Sequence, residues 1–104
     1  MQQNTQEQVV NTVNVVLPAM LETRTGTIRR TTATLAQGAT VRELIAALDD
    51  RFPGIRFNLC LETGDLRPFV NIFVNGENIR YLRGLDTPVP SSATLTILPS
   101  VAGG

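Results

Sequence analysis

The sequence predicts an α+β fold in which one main helix packs across one face of a mixed sheet of four to five strands. Three observations carry this reading. One capped amphipathic segment, Thr40 to Phe52, stands among several short alternating segments. The most apolar of those, Val9 to Leu17 and Ala93 to Leu98, lie near opposite ends of the chain. The chain has 104 residues, 42% hydrophobic and 17% charged, which suits a single core. One helix over one sheet buries the apolar stripes of both without a second layer.

Met1 to Gln8 is polar and lacks the basic start and apolar centre of a signal peptide. Residues 1–8 are therefore expected to be a disordered extension, with the folded domain at 9–98 and a flexible tail at 99–104. In the first strand, Val13, Val15 and Leu17 alternate with Thr12, Asn14 and Val16, and Pro18 ends the pairing. Ala19 to Gly26 reads as a turn region, with Gly26 available for positive φ. Thr27 to Leu35 follows as a Thr-rich second strand, polar enough for a sheet edge. The two strands form a hairpin, and Gln37-Gly38 marks the next break.

Thr40-Val41-Arg42-Glu43 is a capping box, in which the Thr40 hydroxyl accepts from the Glu43 amide while the Glu43 carboxylate reaches back to the Thr40 amide. Val41, Leu44, Ile45 and Leu48 then fall at i, i+3, i+4 and i+7, a core-facing stripe that Phe52 can extend. Pro53-Gly54 ends the helix. Between Ile55 and Pro68 a short helical turn is expected near Phe57 to Cys60, then a turn at Thr63-Gly64-Asp65. Phe69 to Val74 is a strong strand closed by the hairpin dipeptide Asn75-Gly76. Val70, Ile72 and Val74 form its core face, which places Phe69 and Phe73 on the other side. That pair is a candidate partner surface, unless a loop or the N-terminal arm covers it. Glu77 to Tyr81 can pair briefly at an edge, and Leu82 to Ser92 is a connection rich in Pro and Gly. In the last strand Leu95 and Ile97 face the core.

Composition removes much of enzymology. The net charge is zero, giving no basic patch for nucleic acid or an anionic membrane, and no apolar run is long enough to span a bilayer. The expected location is the cytoplasm. With no histidine and one cysteine there is no Ser-His or Cys-His pair, no histidine metal ligand and no intramolecular disulfide. No catalytic residue and no metal site is assigned. Cys60, between Leu59 and Leu61, reads as a packing residue; an exposed thiol activated by Arg56 or Arg67 is the alternative. All nine basic residues are arginine, from codon usage or because a lysine-free chain cannot acylate its own ε-amines.

The functional group suggested by the sequence is the terminus. Leu98-Pro99-Ser100-Val101-Ala102 leads into Gly103-Gly104, a tail slim enough to thread a narrow cleft. At about 7% average glycine usage, Gly-Gly ends roughly one chain in 200 by chance. With the last strand laid parallel to the first, the two most apolar strands occupy the sheet centre and the Thr-rich strand an edge, which is the ubiquitin-like β-grasp arrangement.

From Asn11 to Gly104 the chain resembles the ThiS/MoaD family of bacterial sulfur carriers. The resemblance rests on Val13-Asn14-Val15-Val16-Leu17-Pro18, Thr40-Val41, Phe69-Val70-Asn71-Ile72-Phe73-Val74-Asn75, and Thr96 through Gly104. The Phe-Val-Asn strand and the Leu-Pro-x-Val-Ala-Gly-Gly ending are most similar to the carrier of thiocarboxylate-dependent cysteine biosynthesis. The polar extension, the longer second strand and Cys60 depart from the family pattern. The resemblance implies a carrier rather than an enzyme. A MoeB/ThiF-type adenylyltransferase would spend ATP to adenylate the Gly104 carboxyl, and a persulfide or sulfide donor would displace AMP to leave a thiocarboxylate. ATP belongs to that partner, and this chain is expected to bind no cofactor. Ser100 to Gly104 extends roughly 16 Å, with Val101 and Ala102 as docking contacts and Gly103 as the slim approach to Gly104. In the cysteine branch the acceptor is a PLP-dependent cysteine synthase, and a zinc JAMM-type peptidase frees the product. Other branches supply molybdopterin, thiamin or transfer RNA. The rival reading is a ubiquitin-like modifier conjugated through Gly104.

Overall fold

A computed structural model describes residues 10–100; the polar extension and Val101, Ala102, Gly103 and Gly104 lie outside the described residues. The strands are β1 (Val10–Val16), β2 (Arg30–Ala36), β3 (Val70–Val74), β4 (Glu77–Asn78) and β5 (Thr94–Pro99). Three helical segments join them: α1 (Glu22–Thr25), α2 (Val41–Arg51) and α3 (Ile55–Leu59). The sheet order is β2-β1-β5-β3-β4. β1 and β5 run parallel, and every other neighbouring pair is antiparallel. The two most apolar strands thus sit inside the sheet and the Thr-rich strand at its edge, as the composition predicts.

Alternation along the strands divides the sheet into a core face and an open face. Val13 and Val15 of β1, Leu95 and Ile97 of β5, and Val70, Ile72 and Val74 of β3 are all buried. Val41, Leu44, Ile45 and Leu48 of α2 are buried in the same cluster. Both halves of the capping box form: the Glu43 amide donates to Thr40 Oγ1 (3.4 Å) and the Thr40 amide to Glu43 Oε1 (2.9 Å). Arg51, in the last turn of α2, donates to the Thr32 carbonyl at 2.7 Å on the free edge of β2. That guanidinium covers an acceptor otherwise open to strand addition.

Local structure departs from the sequence reading at several points. The turn region after Pro18 is helical: a 3-10 turn at Ala19–Leu21 runs into α1, because Leu21 and Thr25 are drawn into the interior. β2 starts at Arg30 rather than Thr27, since Gly26 (φ +62°) and the following residues make the return, with the Ile28 amide donating to the Thr25 carbonyl. α3 begins at Ile55, two residues before the expected turn. Gly54 at φ +93° opens it, and Asp49 Oδ1 on α2 accepts from the Gly54 and Arg56 amides, both at 3.1 Å. Ile55 and Leu59 then face the core, which leaves Phe57 66% exposed. Asn75 and Gly76, both at positive φ, make the tight hairpin that the dipeptide predicts. β4 stops at Asn78 because Ile79 turns into the core within a 3-10 turn, Ile79–Tyr81. β5 continues one residue past Leu98 and Ser100 still bonds to Phe69, so the first two residues of the expected flexible tail are held in the sheet by pairing with β3.

Candidate functional site: the root of the C-terminal tail

β5 carries the chain out of the sheet beside β3. Val70 pairs with Pro99, and one further rung follows, the Ser100 amide donating to the Phe69 carbonyl at 2.7 Å. Successive residues of a strand turn their backbone groups to opposite sides. With Ser100 facing β3, the ring nitrogen of Pro99 faces the side of β1, which has already ended at Val16. The proline therefore removes no ladder bond and marks where two-sided pairing ceases.

The open face of the sheet leads to this root. Strand pairing sets Arg30, Val16, Thr96, Phe73 and Asn78 in one row across all the strands. Asn14 and Thr32 continue the face on one side, and Asn71 and Leu98 on the other. Arg30 is the one charged residue among those just named, so the face suits an apolar and hydroxyl-rich partner surface better than an ionic one.

The structure separates the two candidate phenylalanines. Phe69 is 64% exposed, whereas Phe73 is half-buried. Phe73 has strands on both sides, opposite Thr96 and Asn78; Phe69 precedes β3 and has only Ser100 alongside. Leu98, 43% exposed and paired with Asn71, is a diagonal neighbour of Phe69. The exposed apolar pair at the tail root is thus Phe69 and its diagonal neighbour Leu98, and sequence alternation alone singled out Phe73 instead of Leu98.

Arg80 holds this segment from the outer edge. Its Nη2 donates to the carbonyls of Val70 (2.6 Å), Arg67 (2.8 Å) and Pro68 (3.3 Å), and its Nε reaches Asn71 Oδ1 at 3.4 Å. β4 pairs only with Phe73 and Val74, so the guanidinium takes the place of a longer edge strand. Arg80 is a positioning residue for the tail root that the sequence reading missed. No local pattern marks it, because its acceptors lie nine to thirteen residues away.

Among the depressions formed by the described residues, two bear on the candidate residues. One of about 290 Å³ lies between Met20, Leu21, Asn58, Arg67 and Phe69, next to the root. The other, about 550 Å³, lies between α2 and α3 and is lined by Arg42, Ile45, Phe57, Cys60 and Leu61. Cys60 is only 7% exposed. Burial pushes its thiol pKa up, outweighing the opposite pull of Arg42, Arg56 and Arg67. The exposed-thiol alternative is excluded, and Cys60 is a packing residue. Among the described residues no group of Cys, Asp and Glu is placed to hold a metal ion, and no helix is long and apolar enough to cross a membrane.

The mixed sheet, the single long helix and a central strand running out into the tail define a ubiquitin-like β-grasp domain. A chain of the Amycolatopsis orientalis BexX/CysO complex shares this fold at 42% identity and a TM-score of 0.75, covering 88% of this chain and 99% of that one. The sequence profile of the ThiS family matches residues 15–104, and the chain belongs to that family. The sulfur carrier protein CysO of Mycobacterium tuberculosis is 37% identical over 94 residues, covering 88% of this chain and 98% of the relative. Small archaeal modifier protein 3 of Haloferax volcanii is 32% identical over 66 residues, 64% of this chain and 71% of that protein. This is a carrier protein of a sulfur-carrier family, not an enzyme.

Proposed function

We propose that the Gly104 carboxylate is the group that carries sulfur. A carboxylate is a poor electrophile, so a MoeB/ThiF-type adenylyltransferase first transfers AMP from ATP to it, releasing pyrophosphate. Sulfide then attacks the carbonyl carbon, AMP leaves, and Gly104 ends in a thiocarboxylate. The observation that supports this reading is the last rung between Ser100 and Phe69. Val101 to Gly104 follow it in the sequence and span roughly 13 Å when extended. Such a length enters a buried active site while Phe69 and Leu98 dock outside. The family match extends through the same residues to Gly104.

The similarity to CysO favours cysteine as the end of the pathway. There a PLP-dependent cysteine synthase would accept the thiocarboxylate sulfur, and a zinc JAMM-type peptidase would free cysteine from the tail. ATP and PLP stay with the partners, and the setting is cytoplasmic. A second reading, a protein modifier joined to target lysines through Gly104, draws on the similarity to small archaeal modifier protein 3.

Deleting Gly104, or adding one alanine after it, tests the shared step. Both variants should lose ATP–pyrophosphate exchange with the adenylyltransferase, with the melting temperature nearly unchanged, since the last residues of a domain contribute little to folding. Full exchange by either variant overturns the assignment. Between the readings, isopeptide ladders without any thiocarboxylate would select the modifier.

A further inference from the structure

We propose that the lysine-free surface of this domain keeps an activated tail from acylating its own body, and that on the open face of the sheet Arg30 serves this purpose with no bonding role of its own. The proposal rests on the reading that Gly104 is activated. An acyl adenylate or thioester is attacked by neutral primary amines. A lysine amine, with a pKa of about 10.4, is neutral in a small fraction near pH 8, whereas a guanidinium stays protonated and does not attack.

All nine cationic side chains are arginines. For most of them the structure supplies a bonding reason. Arg80 spans several carbonyls; Arg29 donates to the Gly26 and Ile28 carbonyls and pairs with Glu22; Arg42 joins the Gly64 carbonyl and Asp86. These forked contacts need a guanidinium. The Arg30, Arg56 and Arg83 side chains are exposed and make no hydrogen bond or ion pair among the described residues; of the three, Arg30 stands on the open face of the sheet, in the row that crosses β5. A lysine there would serve solubility equally well.

Arg30 nevertheless lies within the extended length of four residues and a side chain from Ser100. It lies in the open-face row with Val16 and Thr96, two strand spacings from Thr96, or about 10 Å. Thr96 is four residues before Ser100, about 13 Å along β5. The straight path from Arg30 to Ser100 is therefore roughly 16 Å. The extended tail covers roughly 13 Å of it and a lysine side chain at position 30 roughly 6 Å more. Arg67, two residues before the carbonyl that holds Ser100, is closer still. A lysine at either place would attack the Gly104 carbonyl carbon through Nζ. The bond to sulfur or to the AMP oxygen would break, the thiol or AMP would leave, and the surplus proton would pass to water. The product is an isopeptide that can no longer carry sulfur.

The test installs the activated acyl group without any enzyme. Full-length protein is released from an intein fusion as a Gly104 thioester of 2-mercaptoethanesulfonate, for the wild type and for Arg30→Lys, Arg67→Lys and Arg30→Gln. Each sample is held at pH 8 and followed by intact mass and peptide mapping. The wild type and Arg30→Gln should hydrolyse to the free acid. Arg30→Lys and Arg67→Lys should give a product one water lighter, cross-linked at the new lysine, at a rate independent of protein concentration. With an effective concentration near the millimolar range, amide formation should exceed the wild-type level by about tenfold. The proposal fails if both lysine variants keep the wild-type melting temperature and form no more amide than the wild type. It also fails if the wild type cyclises as fast through its α-amino group. Because the thioester is made chemically, a negative result leaves adenylation of Gly104 untouched, and failure of adenylation leaves this result standing.

Discussion

Replacing Arg80 by methionine should loosen the tail root by a calculable amount. The substitution keeps the aliphatic stem and removes the donors to the carbonyls of Val70, Arg67 and Pro68. These acceptors are not equivalent. The Arg67 carbonyl keeps a bond from the Val70 amide (3.1 Å), and Pro68 is exposed, so its oxygen returns to water. The Val70 carbonyl faces the sheet edge beyond the reach of β4 and loses a charge-assisted bond of 2.6 Å. One such bond contributes about 1.5–3 kcal/mol, and the other two add little. A net loss of about 2 kcal/mol lowers the melting temperature of a domain this size by about 8–16 °C. Lysine at position 80 reaches one carbonyl at most and should recover part of the loss. Differential scanning calorimetry reads the stability. Amide exchange reads its location, since the Ser100 amide should exchange faster relative to the amides shared by β1 and β2. A melting temperature within about 2 °C of the wild type, or unchanged exchange at Ser100, would refute the assignment of Arg80 as the clamp.

Thr40→Ala removes the capping box and should cost about 1 kcal/mol without altering sulfur loading, as chemical denaturation and a loading assay on the same variant would show. Leu98→Asp alters an exposed residue, so stability should change by no more than about 0.5 kcal/mol. The same change, or Phe69→Ala, should raise the KM for the adenylyltransferase about tenfold with little effect on kcat. Cys60 should leave a signature in alkaline stability. Its thiol pKa is raised in the fold, so the unfolded chain gives up the proton first. Its contribution is whole below the unfolded thiol pKa of about 8.5 and is lost as pH rises through the folded value. Urea unfolding from pH 7 to pH 10 should show a decline that Cys60→Ala flattens.

What could be read in the sequence was what short-range chemistry determines. The capping box at Thr40, the helix stripe from Val41 to Leu48, the Asn75-Gly76 hairpin and the alternation of β1, β3 and β5 each depend on neighbours within a few residues. The start of α3 was not legible because the carboxylate that caps it, Asp49, belongs to another helix. Nor was the helical turn at α1, which forms because Leu21 reaches the core and carries no periodic signal over so short a span. At the tail root the motif was plain, but its geometry depends on pairing. Only the register of β3 with β5 shows that Phe69 lies diagonal to Leu98 while Phe73 is flanked on both sides, and only the fold brings Arg80 to the carbonyls at and before the start of β3.

The most direct measurement of the central claim is the mass of the C-terminal peptide from Cys60→Ser protein coexpressed with the adenylyltransferase and a sulfide source. If Gly104 carries the sulfur, that peptide is heavier by the difference between a sulfur and an oxygen atom, and it gains a carbamidomethyl group with iodoacetamide. An unchanged C-terminal peptide in this variant, alongside wild-type protein that acquires sulfur on the peptide containing Cys60, would contradict it.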